Sequence, residues 1–320
     1  MSDKGFVRHQ VLLGKCPRSL FLLILIFCTQ NLCLANDPTT DRQKEGLIGA
    51  VQTVVAEKRA THAGEQAYYE RNTYSRNGLK TEFEISLPRA GKSETSGKLR
   101  TVYSYDADGK LTSLHSYGGD GSLESETVYA YDAIGNKIED SFYDKERSLK
   151  FKYVSGYDER GNKIETNFYL ANGSLKSRFV CTYDDKGNVL SESSFKDCGP
   201  DKSCKALDYK TVYSRNSHGN VTETLINKAD GTLDKKIVYK YDKSGNVVEK
   251  ASFTADGSHQ EKEVYVYSFD KIGNWVSKKT SISISTPHSK QTKARLVESV
   301  ERKITYFEVT PTQKTTPPEN

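Results

Sequence analysis

The sequence predicts an all-β protein made of tandem β-hairpin repeats, with a period of about 26 residues, that form one curved or coiled antiparallel sheet. Three observations carry this expectation. A Tyr-Asp-x-x-Gly-Asn string returns at near-constant intervals, a second turn signal stands about halfway through each interval, and the residues between them alternate with period two. Composition agrees: only 35% of residues are hydrophobic, with one Met and one Trp, against 20 Tyr and 23 Gly. That is too little aliphatic volume for a thick core and too much aromatic for a disordered chain.

The elements follow in chain order. Residues 1–35 carry Lys4, Arg8, Lys15 and Arg18 against Asp3, then an apolar block Leu20–Phe27 and small Ala35. A basic segment, a short apolar stretch and a small residue at the cut describe a secretory signal peptide, and the block is shorter than the ~20 residues that span a bilayer. Bulky Phe27 and Leu32 before Cys28 and Cys33 do not match a lipoprotein box. Loss of the leader removes four cations and one anion and takes the net charge from +5 to +2. Nucleic-acid binding rests on concentrated positive charge, so a strong polyanion binder is excluded. Residues 36–64 read as a linker with an entry strand near Val51–Val55, residues 65–310 as the repeat domain, and 311–320 as a disordered Pro/Thr tail.

The first turn series pairs Asp106 with Gly109, Asp132 with Gly135, Asp158 with Gly161, Asp184 with Gly187, Asp242 with Gly245 and Asp270 with Gly273. Arg215-Asn216 to Gly219 and Tyr74-Ser75 to Gly78 are variants. The steps between glycines are 31, 26, 26, 26, 32, 26 and 28. Asp at the start bonds forward to backbone amides, and Gly at the fourth position takes the left-handed geometry that follows a type I turn. The turn explains these carboxylates without a calcium site. Twelve residues on stand Asp120-Gly121, Asn172-Gly173, Asp230-Gly231 and Asp256-Gly257, the strongest short hairpin signal. One period is therefore two strands and two turns.

Along the strands, Leu175, Ser177, Phe179, Cys181 and Tyr183 share a face, and Leu149, Phe151, Tyr153, Ser155 and Tyr157 repeat it one period earlier. On the return strands Ile138, Ile164, Leu190 and Val248 form a column. Stacked copies align Tyr103, Tyr129, Tyr213, Tyr239 and Tyr267, and beside them Tyr105, Tyr131, Tyr157, Tyr183, Tyr241 and Phe269. Cross-strand aromatic pairs stabilise a sheet by roughly 0.2–1 kcal/mol each, so these rows serve first as structural glue. The Tyr103, Tyr129, Tyr213, Tyr239 and Tyr267 column is also the candidate ligand-stacking surface.

The iterated Tyr-Asp-x-x-Gly-Asn string, over about Thr73 to Val276, resembles the YD-repeat (Rhs) family of secreted β-hairpin repeats. The resemblance implies a long sheet that spirals into a hollow shell around a toxin or other payload, and some family descriptions associate the repeats with carbohydrate. This chain departs after Gly273-Asn274-Trp275: a Ser/Thr/Lys-rich linker, one strand-like run (Leu296 to Phe307) and the tail leave no room for a toxin domain, as in short exported bacterial forms. About sixteen strands at ~4.8 Å spacing give a sheet roughly 75 Å wide, or a tube about 25 Å across when rolled up. Inward Tyr and Leu are expected to fill that bore and exclude a cargo.

Candidate chemistry is sparse. Cys198 and Cys204 flank the insertion in the 32-residue step and read as a disulfide staple in an oxidising compartment; Cys181 reads as a buried small residue. His62, His115, His218, His259 and His288 form no metal or triad pattern. Gly118-Gly119-Asp120-Gly121-Ser122 lacks the following helix a phosphate loop needs. No catalytic residue, metal ligand or cofactor is assigned. The reading is a non-enzymatic exported scaffold, periplasmic or secreted, that binds or shields an envelope protein or glycan. It touches membrane only through the cleaved leader. The alternative is a carbohydrate- or peptidoglycan-binding module using the Tyr rows, and an enzyme is the least favoured.

Overall fold

The computed structural model describes residues 40–59, 67–86, 97–199, 201, 203–257, 260–285 and 293–308. The leader at 1–35, the tail at 311–320, His62, His259 and His288 lie outside the described residues. A short helix α1 (Asp41–Lys44) precedes eighteen strands. These are β1 (Val51–Arg59), β2 (Tyr68–Tyr74), β3 (Lys80–Ser86), β4 (Lys98–Tyr105), β5 (Leu111–Tyr117), β6 (Leu123–Tyr131), β7 (Lys137–Asp144), β8 (Leu149–Tyr157) and β9 (Lys163–Leu170). They continue as β10 (Leu175–Tyr183), β11 (Val189–Cys198), β12 (Cys204–Arg215), β13 (Val221–Lys228), β14 (Leu233–Tyr241), β15 (Val247–Thr254), β16 (Gln260–Phe269), β17 (Trp275–Ser285) and β18 (Arg295–Tyr306).

Each strand pairs antiparallel with the next, and β1 also pairs with β18 along Thr53↔Thr305 to Arg59↔Ser299. The sheet therefore closes on itself. The antiparallel hairpin repeats match the expectation, but a closed 18-stranded barrel replaces the curved or coiled sheet. The difference lies at the ends of the chain. The entry strand became β1, in the same sheet as the repeats, and the run after the repeats became β18; together they join the two edges.

The repeat turns form as their residues dictate. Asp132 N–H donates to the Asn136 carbonyl (2.9 Å) and Gly135 N–H to the Asp132 carbonyl (3.1 Å), while the Asp132 carboxylate accepts from Ile134 N and Asn136 N. Gly135 sits at φ +93°. This is a type I turn followed by a left-handed residue and a bulge, which shifts the register between Ala130 and Tyr131. The outermost copies of the series keep the geometry. Gly109 N–H donates to Asp106 O at 3.1 Å, and Gly245 N–H to Asp242 O and Gly273 N–H to Asp270 O at 3.2 Å each. Their φ values are +80°, +86° and +103°. The first copy departs from the motif in one respect: Lys110 follows Gly109 where the other Asp-bearing turns place Asn, so that turn lacks the side-chain amide that Asn246 gives to Asp242 beside Gly245 (2.9 Å).

The opposite end of the barrel uses the same turn, with Gly121 N–H donating to Gly118 O at 3.0 Å and Gly118 N–H to Ser122 O at 2.9 Å. At Asp144–Ser148 the left-handed position is held by Arg147 (φ 58°).

Alternation gives the wall two unlike faces. One carries Phe142, Phe151, Tyr153 and Tyr239, each 5–6% exposed, while Val128 and Val266 on the other are 38% and 62% exposed. Side chains crowd on the concave side of a closed single-layer wall and splay on the convex side, so the shielded aromatic face is the inner one. The outer face holds mid-strand ion pairs: Glu139–Lys152 (2.8 Å), Glu223–Lys236 (2.5 Å), Glu165–Arg178, Arg100–Glu82 (2.6 Å) and Lys240–Glu249–Lys262 (2.8 Å each).

The expected filling of the bore is not what the apolar contacts show. The inner apolar side chains gather in three clusters, one on β1, β2 and β18, one on β7–β9 and one on β12–β15. Each draws on consecutive strands, and among the described residues none joins opposite sides. Geometry gives the reason. Eighteen strands tilted as in known barrels, rather than sixteen laid parallel to the axis, make a wall roughly 35 Å across if round. Facing tyrosines cannot span that width.

Candidate functional site on the inner wall

The tyrosines that open the repeat turns are latches. The hydroxyls of Tyr131, Tyr157, Tyr183 and Tyr241 donate to the carbonyls of Leu111, Lys137, Lys163 and Val221 at 2.6–2.8 Å. Each acceptor lies 20 residues upstream, at the start of the preceding return strand, so every latch ties one hairpin to the next. Tyr105 does the same to Lys80 O (2.7 Å). Burial raises these phenols, Tyr131 to about 12. The turns themselves stack: a Cβ at Gly187 would lie 3.5 Å from Asn162 Oδ1, and one at Gly161 4.0 Å from Asn136 Oδ1. Asn162 and Asn188 also donate through Nδ2 to Asp158 and Asp184 of their own turns. Those bonds hold the two carboxyls below the ordinary carboxylate range.

The Tyr103, Tyr129, Tyr213, Tyr239 and Tyr267 column lies on the inner wall, and all of its rings but Tyr239 have close polar company. The ammonium groups of Lys80 and Lys137 stand 5.9 and 4.7 Å from the Tyr103 and Tyr129 rings. Tyr213 donates to Glu192 (2.7 Å), and Tyr267 donates to Val247 O (3.1 Å) while meeting Trp275 edge-on at 6.3 Å. Tyr239 is 5% exposed. The column is therefore inside the barrel and not an open outer platform. Cys181 belongs to the same wall at 4% exposure.

At the latch end the inner rim divides by chemistry. Three of the first four hairpins place a lysine two residues past the turn glycine, Lys80, Lys137 and Lys163; the second places Leu111 there, and its Lys110 holds the Asn position of the turn stack, with the ammonium group 3.3 Å from where a Cβ at Gly135 would lie. The next four place Val189, Val221, Val247 and Trp275 there. Sequence alternation missed this row, because the bulge beside each turn brings the residue after Asn136 or Asn162 to the inner side and leaves Ile164 and Leu190 exposed at 38% and 43%. The repeat alignment itself was the usable signal. Lys137 pairs with Asp140 (2.7 Å), and the Lys110 and Lys163 ammonium groups lie 5.7 and 6.0 Å from the Tyr131 and Tyr157 rings. Burial first, then the neighbouring Lys137 charge, lowers Lys163 to about 8, against the pull of Asp140.

The segment before β1 is a strap across this rim. Asp41 accepts from Lys80 N–H and Tyr105 OH (2.8 Å each), and Glu45 takes the Lys80 ammonium and the Tyr74 hydroxyl. These carboxylates and Tyr103 outweigh the burial that would lower Lys80 and hold it above the usual lysine range. Further on, Ile48 exchanges two 2.8 Å bonds with the Asn274 side chain, and Phe307 N–H donates to Ala50 O (2.8 Å). The last repeat turn thus grips the strap that brings β1 to β18.

The remaining positions read as follows. Cys198 and Cys204 are disulfide-bonded at the β11–β12 turn, as expected. The first turn series (Asp106 and Gly109, Asp132 and Gly135, Asp158 and Gly161, Asp184 and Gly187, Asp242 and Gly245, Asp270 and Gly273) occupies the latch-end turns, where the carboxylates serve the backbone. Arg215 takes the place of the latch tyrosine and donates to Gly219 O (3.1 Å) and Val189 O (3.4 Å), beside a cleft of about 480 Å³ between the turns at Asp184–Asn188 and Asn216–Gly219. His115 pairs with Glu126 on the outer wall at 3.1 Å, and His218 sits in a turn. Among the described residues no three His, Cys, Asp or Glu side chains gather as a metal site, and no helix is long and apolar enough to cross a membrane.

No family model matches the chain, and no curated protein matches it. Among solved structures, a porin-like protein from Bacteroides uniformis is 10% identical over 80% of this chain and 96% of its own, with a TM-score of 0.43. A porin-like protein from Bacteroides vulgatus is 11% identical over 81% of this chain and 100% of its own, with a TM-score of 0.26. The TcdB2–TccC3 complex is 11% identical over 75% of this chain, which spans only 17% of that one, with a TM-score of 0.26. Identity this low and TM-scores below 0.5 leave the reading of the site to its own residues.

Proposed function

We propose that this chain is an exported, non-enzymatic container of the YD-repeat type, which binds or shields a partner within its barrel in the cell envelope or outside the cell. The observation that carries the reading is the placement of the two wall chemistries. Aromatic rings, hydroxyls and partnered charges line the inside, while carboxylate–ammonium pairs cover the outside at mid-strand. A lipid-facing wall is destabilised by roughly 2–4 kcal/mol for each Arg or Lys at the bilayer midplane. A barrel with this exterior stands in water, with the leader as its only membrane contact and no nucleic acid among its partners. The iterated latch motif and the basic, apolar leader support the family kinship and the export.

The test compares walls. Envelope material is cross-linked to the purified protein and to two double variants: inner Tyr129→Ala with Tyr239→Ala, and Tyr143→Ala with Tyr169→Ala, which lie on the outer face opposite Glu126 and Lys152. Loss of the cross-linked partner in the inner variant alone is the expected result. Equal retention by the two variants would remove the container reading. A glycan is the second reading for the guest, favoured by the ring faces of the inner column; retention on a peptidoglycan or glycan surface that the inner variant abolishes would select it.

A further inference from the structure

We propose that the rim cleft between the turns at Gly187 and Gly219 is a docking site for an extended polypeptide segment of a partner protein. It lies at the turn tips, clear of the bore, and does not depend on the container reading. Two observations carry it. The first is a break in the turn stack. A Cβ at Gly135, Gly161 or Gly187 would meet the side chain of the turn before it, Lys110, Asn136 or Asn162, at 3.3–4.0 Å. At Gly219 it would meet nothing within 4 Å, so Asn188 stands clear of the next glycine. The space left between them is the cleft of about 480 Å³.

The second is internal precedent. Between the last turn and the first, the strap takes the place of a stacked turn. A Cβ at Gly273 would lie 3.3 Å from Ile48 Cδ1, and one at Gly78 2.8 Å from Thr40 Oγ1. Asn274 holds the strap by its backbone: Ile48 N–H donates to Oδ1, and Nδ2 donates to Ile48 O, at 2.8 Å each. A side-chain amide has one acceptor and one donor group to match a peptide unit, whatever side chain that unit carries. The cleft offers the same two functions. Asn188 spends Nδ2 on Asp184, which leaves Oδ1 as the acceptor. Asn216 spends Oδ1 on His218 N and Asn220 N, which leaves Nδ2 as the donor. Leu190, 43% exposed, lines the cleft beside them and gives an apolar side chain of the guest a seat. The charges in the lining cancel, Asp184 and Asp185 against Lys186 and Arg215, so the site selects a peptide backbone and not a charged guest.

The probe is a fluorescein-labelled peptide with the strap sequence, residues 41–50, titrated with the full purified protein by fluorescence anisotropy. The protein's own strap occupies the seam, so the peptide reports on the cleft. Two substitutions borrow residues that other turns already carry. Asn216→Asp restores the Asp of the motif and removes the Nδ2 donor, and Asn188→Lys copies Lys110, whose side chain covers the next glycine. Each is expected to weaken binding at least about tenfold. Asn162→Lys makes the same exchange beside Gly187, which is already covered, and is expected to leave binding unchanged. A peptide carrying Ile48→Pro lacks the N–H and is expected to bind the parent protein at least about tenfold more weakly. That arm needs no protein variant, so it stands whether or not the substituted turns fold. Absence of binding by the parent protein, equal loss in Asn162→Lys, or a proline peptide that binds as tightly as the original overturns the site. Loss in Asn274→Ala with retention in Asn216→Asp puts the peptide on the seam and overturns it as well.

Discussion

At the scale of single residues, the unusual groups are a buried cation, buried phenols and one strained turn. Lys163 is 5% exposed, and its amine is lowered to about 8 from the usual 10.5. Between those values the unfolded chain holds a proton that the folded chain has released, so stability rises as pH climbs from about 8 to 10.5. Below 8 the buried charge costs on the order of 3 kcal/mol at most. The tyrosines act in the opposite sense. Tyr131, Tyr239 and Tyr267 titrate near 12 in the fold, so the stability their neutral forms contribute is present below pH 10 and lost between 10 and 12. Urea midpoints across pH should therefore climb above pH 8 and fall above 10, and Lys163→Met should abolish the climb while stabilising the protein at neutral pH. A profile unchanged by that substitution would contradict the burial argument. Arg147 holds a left-handed φ of 58° where the far-end turns at Gly121, Gly173, Gly231 and Gly257 place Gly. Arg147→Gly is expected to stabilise by about 0.5–1 kcal/mol in thermal or chemical unfolding, since glycine adopts that geometry without a Cβ clash.

At the scale of the hairpin, the phenol latch and the turn stack define the repeating unit. Removing the Tyr157 or Tyr183 hydroxyl by substitution with Phe leaves the Lys137 or Lys163 carbonyl short of a donor. A loss of about 1 kcal/mol per latch is expected by urea denaturation, against a near-neutral effect for the outer Tyr143→Phe. The β11–β12 hairpin carries its own staple. Cys198→Ala with Cys204→Ala should cost about 2 kcal/mol from the freed loop, with exchange protection lost in that hairpin first and the remaining turns unaffected. This is the level at which the sequence was most legible. Asp-x-x-Gly strings and alternating apolar positions are local causes, and they placed the latch-end turns from Gly109 to Gly273, the strand pairs, the inward tyrosines and the disulfide. They did not reveal the inner lysines. Alternation assigns a charged residue to the wet face, and only the bulge beside Tyr131 and Tyr157 brings Lys137 and Lys163 inward. Nor did any local pattern distinguish the latch hydroxyl bonds from simple ring packing.

At the scale of the whole molecule, closure was the feature the sequence could not show. The β1–β18 ladder pairs residues about 250 apart, such as Thr53 with Thr305, and nothing in either strand names the other. The strap encodes it instead, through side chains that look like linker until they are seated: Asp41 and Glu45 on Lys80, and Ile48 in the amide of Asn274. The same distance makes this seam the costliest join to close. Every other ladder is closed by a connection of at most about a dozen residues, whereas β1 and β18 must find each other across the finished wall, so their contact entropy is offset by no local turn. Sub-global opening is drawn from such low-stability joins. Native-state hydrogen exchange followed by mass spectrometry is therefore expected to show β1 and β18 exchanging ahead of β7–β9. Asn274→Ala, which removes both Ile48 bonds and the contact to Tyr306, should accelerate the seam several-fold and leave β7–β9 unchanged. If β1 and β18 were instead as protected as the central hairpins in the parent and in Asn274→Ala alike, the strap would be an ornament on a barrel closed by other means.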